Sequence, residues 1–466
     1  MANLSIVETP LAGGKIRYTL GQPNWEDRRM PDIRRPGSTV QIEEQRLIDV
    51  IILGDGFTAA SDFRDALENW LSNFYAIKVY DVFAGCIRIR ALYTPSTQPA
   101  SANRASYYRC RMSDDGCSID KDDWWKANDA DGMAFREAFW ESVDTFADAN
   151  PRRYPLDLEV GSSNQTITND RLRDLYRNLV VSFLVRSAVD EHPSGFTSDV
   201  SRPAPDQSRH VRVGFGANEI HEFSHAFGLL SDEYINGRGT TNTRVDPTTP
   251  SVFSLSNLRY SNRVDNVPWI HLSPCGWQER TASGQEPSPL VGWLWVGGSV
   301  HVGVWHSEYR CLMNGNHDNF QFTQVAAEDP TANEDGTYTE ENGAGLRDTD
   351  RFCLWCQEIV SLRILEKTDQ LLEEGDPADV TSQGITWYAR WLERLRSNYY
   401  QLFDVAQQIA DAEARYAGLT PGRNKEPLWQ SDLYSIPKAA VAGPASPVPP
   451  LPDDEVFVLT GFAAIP

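Results

Sequence analysis

The sequence lacks positive charge, since its 466 residues contain 43 Lys and Arg against 65 Asp and Glu, a formal net charge of −22 at pH 7. A protein that binds nucleic acid needs a basic face that displaces phosphate counterions, so this balance disfavours nucleic acid as a partner. Long apolar runs are also missing. The most apolar stretches, "LVVSFLV" and "LIDVIIL", have the length of buried strands, and no membrane span is predicted.

A secretory signal is missing as well, because the opening "MANLSIVETPLAGGKIRYTL" has no basic segment followed by an apolar core. Cysteine is scarce: seven are present, an odd number that leaves at least one unpaired in a monomer and is low for a disulfide scaffold. The compartment therefore stays open. We expect a cytoplasmic protein by default, and a secreted one if a leader preceded this sequence.

Apolar patterns predict an α/β protein. "RLIDVIILGDGF" predicts a buried strand that enters a tight turn, in which Asp55 satisfies backbone donors. "IRIRALYT" predicts a half-buried strand, and "VVSFLVRS" predicts another. Between the first and second of these strands, an apolar stripe predicts a helix, which Thr58 or Ser61 could cap. The residues of the stripe are Phe63, Leu67, Trp70, Leu71 and Phe74. Strand, helix and strand in this order are typical of an α/β layer.

Later segments are less regular. Residues 100–165 are polar, show no strong period and suggest an elaborated loop, and residues 235–310 suggest loops and short strands. Helices are predicted over "DRLRDLYRNL", over "DRFCLWCQEIVSLRILEK" and over the segment that begins "ITWYARWLERL".

The stretch "HEFSHAFGLLSDEY" carries the chemistry. His221 and His225 are four residues apart and share one face of a helix, with Glu222 directly after the first. Neutral imidazole is a good zinc ligand, and a carboxylate beside it can take a proton from water. The alternative is an amphipathic helix with two unrelated histidines. Gly228 favours the metal site, because a glycine there lets the helix stop and the chain turn sharply.

The third ligand is one of the two acids that follow. The pattern HExxHxxGxxH would place it at Ser231, and serine is a poor zinc ligand. Asp232 is favoured because it lies nearest to this offset, and Glu233 is the rival because its longer side chain can compensate for its position. The acid that does not bind the metal can instead hold a ligand histidine.

Three segments resemble the IgA-peptidase-type zinc metallopeptidases, a metzincin-like family: "VIILGDGFTAASDF", "HEFSHAFGLLSDEY", and "GVWHSEYRCLMNGNHDNF" with the later "FCLWC". The similarity covers about Arg46 to Ile364. It implies an α/β zincin fold of metzincin type, with a twisted mixed sheet, long helices, an active-site helix and a Met-turn at Met313. The segment 188–210, which forms the substrate edge in zincins, lacks the family's Gly-rich stretch. Only peptidase chemistry is therefore carried over, and immunoglobulin as substrate is not.

The expected activity is hydrolysis of peptide bonds in a protein or peptide substrate. Zn²⁺ is bound by His221, His225 and Asp232, and Glu222 is the general base. Two alternatives stay open: a zinc amidase that acts on a cell-wall or other non-protein amide, and a metal-stabilised binding module with a silent site. Glu222 argues against a silent site, because a structural zinc has no use for an acid beside an open position.

This interpretation divides the chain into four parts. Residues 1–45 form a short N-terminal β segment, 46–366 a zincin-type catalytic domain, 367–436 a helical region, and 437–466 a Pro-rich linker with an apolar tail. The tail, "VFVLTGFAAIP", is β-prone and carries no charge, so we expect it to dock on its own domain or on a partner.

A second zinc site is also conceivable from the sequence. Its residues would be Cys311, His317, Cys353 and Cys356, of which the last two have C-x-x-C spacing. A disulfide from Cys311 to one of this pair in an exported protein, or free buried thiols in a reducing cytosol, are the alternatives.

Overall fold

The structure is a computed structural model. It describes residues 5–21, 28–147, 178–189, 194–202, 210–216, 220–233, 257–258, 269, 272, 291–298, 301–308, 310–314, 321–322, 338–339, 346–347, 351–368, 370 and 395–416. The chain divides into two compact units, each described by itself. The first comprises Met1–Asp32, Ser38–Gly228 and Arg363–Gln370. The second comprises Ile33–Gly37, Leu229–Leu362 and Leu371–Pro466.

The first unit is built on a seven-stranded mixed sheet with the strand order β1-β2-β6-β5-β7-β9-β8. Its strands are β1 (Ser5–Pro10), β2 (Ile16–Gly21), β5 (Ile48–Asp55), β6 (Ile87–Tyr93), β7 (Leu179–Val185), β8 (Phe196–Ser201) and β9 (His210–Gly216). The central strands β6, β5, β7 and β9 are parallel, while β1, β2 and β8 pair antiparallel. A separate hairpin joins β3 (Arg29–Pro31) and β4 (Thr39–Gln41).

The sequence explains this arrangement. Every residue of β5, β6 and β7 is buried, as parallel strands covered on both faces require. The half-buried strand predicted over "IRIRALYT" is therefore wrong, because β6 is central in the sheet. β1 and β2, from the segment that the sequence analysis set apart, lie in the same sheet as β5 and β6.

Helices cover both faces of this sheet. They are α1 (Ala60–Ala76), α2 (Lys78–Val82), α3 (Ala130–Ala147) and α4 (Ile220–Gly228). On one face, Phe135 and Phe139 of α3 join a core with Val181, Phe183 and Phe215 of the central strands. On the other face, Gly54 of β5 faces α1 and Gly214 of β9 faces α4.

Two predictions about these helices have clear outcomes. The stripe predicted on α1 is confirmed, because all five of its residues are fully buried. The predicted cap is wrong: Ala59 precedes the helix without a side-chain cap, and the Ser61 hydroxyl donates to Asp62 instead. α3 lies inside the region predicted to be an elaborated loop, so that prediction is wrong for Ala130–Ala147.

The second unit contains a β-hairpin of β10 (Val291–Gly298) and β11 (His301–Glu308). β12 (Arg310–Cys311) pairs with β15 (Leu346–Arg347), and β13 (Gln321–Phe322) pairs with β14 (Tyr338–Thr339). α5 (Leu354–Lys367) begins in this unit. It is followed by α6 (Arg396–Phe403) and α7 (Val405–Tyr416). The long helix predicted from "ITWYARWLERL" onward is interrupted at Asp404, whose φ of 49° is left-handed.

The α/β class with a mixed sheet is confirmed. Among the described residues, no helix combines the length and apolar character needed to cross a bilayer. Residues 170–177 of the predicted helix "DRLRDLYRNL" lie outside the described residues, but the prediction is wrong at its end, because Leu179 already belongs to β7. The Pro-rich linker, the apolar tail, Tyr309 and His317 also lie outside the described residues.

Candidate metal sites

The histidine motif lies on α4, as predicted. The helix ends at Gly228, and the next residue, Leu229, has a φ of 55°. The predicted stop at the glycine is confirmed, but the left-handed conformation that glycine usually supplies falls on Leu229. A bulky residue rarely adopts this conformation, so the surrounding structure must hold the chain there.

An aromatic cluster fixes α4 against α1 and α2. The ring of Phe223 lies 5.6 Å from Trp70, 5.4 Å from Phe74 and 5.7 Å from Tyr80, in edge-to-face contacts. Phe227 stacks on Phe223 at 5.6 Å. Because one side of the helix is locked in this way, the direction of the histidine side is fixed as well.

The two motif histidines converge on one point. Their Nε2 atoms lie 3.0 Å apart, and their rings stand at 89° to each other with centroids 4.6 Å apart. Zinc–nitrogen bonds are 2.0–2.1 Å long, so two Nε2 atoms 3.0 Å apart are close enough for one zinc ion to bind both. His221 and His225 therefore fit a zinc ion.

Glu222 is held by the edge strand of the sheet. The Thr197 hydroxyl, on β8, lies 2.8 Å from the Glu222 carbonyl oxygen and 3.4 Å from its Oε2. On β9, a Cβ added at Gly214 would come within 2.8 Å of the same carbonyl oxygen. Glycine at this position therefore allows the strand and the helix to lie in backbone contact.

The acidic pair belongs to the second unit. Glu233 is fully buried, and its backbone N–H donates to the Met313 carbonyl at 2.8 Å. Asn257 holds the segment by three bonds: it accepts from the Ser231 N–H at 2.8 Å, and its amide donates to the Ser231 carbonyl at 2.8 Å and to Glu233 Oε1 at 3.2 Å. The direction of the Glu233 carboxylate is therefore set by its neighbours.

Three cysteines surround that carboxylate. Cys311, Cys353 and Cys356 are fully buried free thiols, and their sulfurs and a Glu233 oxygen all lie within 4.8 Å of one another. Glu233 Oε1 is 3.1 Å from Cys356 Sγ and 3.7 Å from Cys353 Sγ. These four residues, called the cysteine cluster below, form a buried group that can bind a metal ion.

The sequence analysis found three members of the cysteine cluster and missed the fourth. Glu233 was predicted only at the histidine site, either as the third ligand or as the partner of a ligand histidine, and the cysteines were paired with His317, which lies outside the described residues. The acidic pair itself could have indicated two separate sites, because the side chains of neighbouring residues point in opposite directions where a segment is extended. Asp232 and Glu233 are therefore not expected to serve the same site.

Burial is the largest influence on the pKa values of the cluster, and only at Cys353 do hydrogen bonds reverse its effect. Burial raises the pKa of Glu233, Cys311 and Cys356 well above their ordinary values. Burial also opposes ionisation of Cys353, but hydrogen bonds from Cys311, Cys356 and Ser307 outweigh it and hold its pKa well below the ordinary value. Cys353 directly precedes α5, and its Sγ accepts the Cys356 N–H at 3.3 Å, which is the bond of a helix N-cap.

Met313 lies in a tight turn, closed by a 3.0 Å bond from the Asn314 N–H to the Cys311 carbonyl. It is fully buried, and its own N–H lies 3.4 Å from Cys311 Sγ. A buried methionine in a turn agrees with the Met-turn that the resemblance implies, but its position below a catalytic metal stays a prediction.

The turn after β5 is confirmed as a structural feature. Asp55 Oδ1 accepts the Tyr108 N–H at 2.9 Å, and Oδ2 accepts the Cys110 N–H at 3.0 Å and the Ser106 hydroxyl at 2.7 Å. Gly56 has a φ of 79°, and a Cβ there would lie 2.2 Å from the Arg186 carbonyl oxygen. Asp55 thus anchors a distant loop to the end of a central strand.

The predicted catalytic residues are distributed as follows. His221, Glu222 and His225 lie together on α4 in the first unit, and Asp232 lies in the second unit, in the segment that follows the helix. Neither a comparison with protein-family models nor a comparison with curated proteins finds a match for this chain.

Proposed function

We propose that this chain is a zinc-dependent peptidase of metzincin-like fold that hydrolyses peptide bonds in a protein or peptide substrate. One observation carries the proposal. The two imidazoles of an HExxH helix have their Nε2 atoms 3.0 Å apart, and the intervening Glu222 is held in place by Thr197 of the edge strand. A hydrogen bond between two structural histidines would also bring these atoms to 3.0 Å, but it would not require the glutamate between them.

The proposed zinc ligands are His221, His225 and Asp232. Asp232 enters through the spacing of the motif, because it follows the glycine that ends the helix. The choice of Asp232 over Glu233 is supported by the surroundings of Glu233, whose carboxylate lies against Asn257 and the cysteine cluster. A carboxylate committed there is not available as the third ligand of the histidine site.

A zinc ion bound at this site supplies Lewis acidity that polarises the scissile carbonyl and lowers the pKa of a water molecule. Glu222 accepts the proton of that water as it attacks the carbonyl carbon, and it then delivers the proton to the leaving amine nitrogen. Thr197 holds the backbone of Glu222 in place, since its hydroxyl donates to the Glu222 carbonyl at 2.8 Å and lies 3.4 Å from the carboxylate Oε2.

The substrate would bind along β8. This strand is the last in the sheet order and pairs with β9 on one side, and it also carries Thr197. Among the described residues no strand pairs with the other edge of β8, and an extended peptide can add to such an edge through main-chain hydrogen bonds. This mode would place a scissile bond beside Glu222, without requiring a particular side chain along the whole substrate.

A substrate panel tests the proposal. The zinc-loaded chain is incubated with unfolded proteins, immunoglobulin and peptidoglycan, with and without a chelator. We expect cleavage of unfolded protein that the chelator abolishes and added zinc restores. Release of fragments from peptidoglycan alone would replace the peptidase by an amidase. No chelator-sensitive cleavage of any of the three, by protein that contains more zinc per chain than a variant lacking His221 and His225, would contradict the proposed activity.

A further inference from the structure

The cysteine cluster is a second group of side chains that can bind a metal ion, separate from the histidine pair. We infer that Cys311, Cys353, Cys356 and Glu233 bind one zinc ion in a closed, purely structural site. The inference does not rest on the proposed peptidase activity, because every residue that carries it lies in the second unit and none belongs to the HExxH motif.

The donor set selects the metal. Three thiolates favour zinc, copper(I) or iron over calcium and magnesium, which prefer oxygen ligands. A carboxylate added to three thiolates gives four ligands, the number that a structural zinc site uses. With zinc–sulfur bonds of 2.3 Å and zinc–oxygen bonds near 2.1 Å, a tetrahedral site separates sulfur from oxygen by about 3.6 Å. The separations here, 3.1 and 3.7 Å, are close to that value.

One oxygen of the cluster has no hydrogen-bond partner among the described residues. It is the buried Glu233 Oε2, whereas Oε1 accepts from Asn257 and lies against the cysteine sulfurs. A buried carboxylate oxygen without a partner is unfavourable in an apolar surrounding, and a metal ion close to both carboxylate oxygens would remove this cost. The other carboxylate oxygen, Oε1, lies against Cys353 Sγ and Cys356 Sγ, and neither sulfur carries a positive charge that would balance the carboxylate.

Backbone N–H groups surround the sulfurs as they do in metal–thiolate sites. Cys311 Sγ lies 3.4 Å from the Met313 nitrogen and 3.2 Å from the Cys353 nitrogen. Cys353 Sγ accepts the Cys356 N–H at 3.3 Å and the Ser307 hydroxyl at 3.3 Å. Donors of this kind stabilise negative sulfur, orient the ligands and are of little use to neutral thiols.

Glu308 supports the site from outside. Its carboxylate accepts from Arg351 and, at 3.0 Å, from the Leu354 N–H in the first turn of α5. This turn carries Cys356, and Cys353 directly precedes it. The helix start, the turn after β12 and the Glu233 segment are distant in sequence, so one ion bound by all of them would tie three separate segments together.

Metal counting separates this site from the histidine site. The full chain is produced with zinc, and zinc per chain is measured by mass spectrometry for the wild type and for His221→Ala/His225→Ala. We expect two zinc ions per wild-type chain and one in the double variant. In the double-variant background, Cys356→Ser should lose the remaining ion and Cys86→Ser should keep it. Cys86 is a matched control, because it too is buried and free but belongs to the first unit.

A second measurement remains valid if Cys356→Ser does not fold. In the double variant, cysteines are alkylated before and after chelator treatment, and the modified positions are read by peptide mapping. We expect Cys311, Cys353 and Cys356 to be protected until the metal is removed. Glu233→Gln should weaken zinc binding by more than the roughly 10–100-fold cost of losing an outer-shell partner. The native protein is also mapped without reductant.

Two results overturn the inference. The first is a folded double variant, with its three cysteines reduced, that contains no zinc. The second is a disulfide between any two of Cys311, Cys353 and Cys356 in the native protein. Neither result bears on the peptidase, whose failure would appear instead as wild-type protein with a filled histidine site and no chelator-sensitive cleavage.

Discussion

At the scale of single residues, one step along the chain separates two proposed roles. Asp232 is the proposed third ligand of the histidine site, whereas Glu233 lies against the cysteines. Spacing within one helix predicted His221, Glu222 and His225, because the separation of four residues determines which side chains share a face. The surroundings of Glu233 could not be predicted in this way. They depend on Asn257 and Cys356, which are 24 and 123 residues away.

Asp55 gives a prediction at this scale. Asp55→Ala leaves the buried N–H groups of Tyr108 and Cys110 without their acceptor, and each orphaned donor costs about 1–3 kcal/mol. We expect a loss of about 2–4 kcal/mol in the free energy of unfolding, measured by urea denaturation. Asp55→Asn is the control: one acceptor oxygen remains, so its loss should be smaller. Equal stability of Asp55→Ala and wild type would show that the loop does not depend on this carboxylate.

At the scale of elements, a helix with a regular apolar stripe could be predicted from the sequence, whereas a helix inside a polar or irregular segment could not. α1 was predicted because its apolar stripe is regular and unbroken. α3 also has a periodic stripe, with Phe135, Phe139, Val143 and Phe146 buried, but it lies within a long polar region that masked it. No glycine or proline lies near Asp404, so the sequence gives no sign of the interruption and predicts a continuous helix.

The contact between β9 and α4 gives the next prediction. Gly214→Ala places a methyl group 2.8 Å from the Glu222 carbonyl oxygen and must push the helix away from the strand. We expect a destabilisation of about 1–3 kcal/mol, as for other overpacked sites, together with weaker zinc binding by His221 and His225. Urea denaturation and zinc titration of the variant measure the two effects.

Gly216→Ala is the matched control for this substitution. It lies on the same strand and faces the same helix, but the nearest described atoms to its Cβ would be those of the Glu222 side chain at 3.5 Å, an ordinary contact. Its stability should stay within about 1 kcal/mol of the wild type. Equal effects of the two substitutions would mean that the close approach of strand and helix is unimportant.

At the scale of the whole molecule, we propose two zinc ions with separate tasks. The ion at the cysteine cluster would stabilise the fold of the second unit, and the ion at the histidine pair would serve the reaction. A ligand present at about 1,000 times its dissociation constant stabilises the native state by about 4 kcal/mol, so removal of a structural ion should be visible in thermal melting.

This division of tasks predicts how the two sites affect stability. A chelator should lower the melting temperature of His221→Ala/His225→Ala almost as much as that of the wild type, because the cysteine cluster is intact in both. Glu233→Gln should already melt at a lower temperature, and the chelator should lower it less. If the double variant were insensitive to the chelator, the stabilising ion would belong to the histidine site instead.

The central claim is that Glu222 is the general base of a zinc peptidase, and Glu222→Gln tests it most directly. The substitution keeps the size of the side chain and removes its ability to accept a proton, and Glu222 is not a proposed zinc ligand. Zinc content is measured first, and the rate of hydrolysis of an unfolded protein follows. We predict normal zinc content with a rate lowered by roughly 10²–10⁴-fold or more, the usual contribution of a general base. A zinc-loaded Glu222→Gln chain that cleaves at a rate near the wild type's would contradict the account.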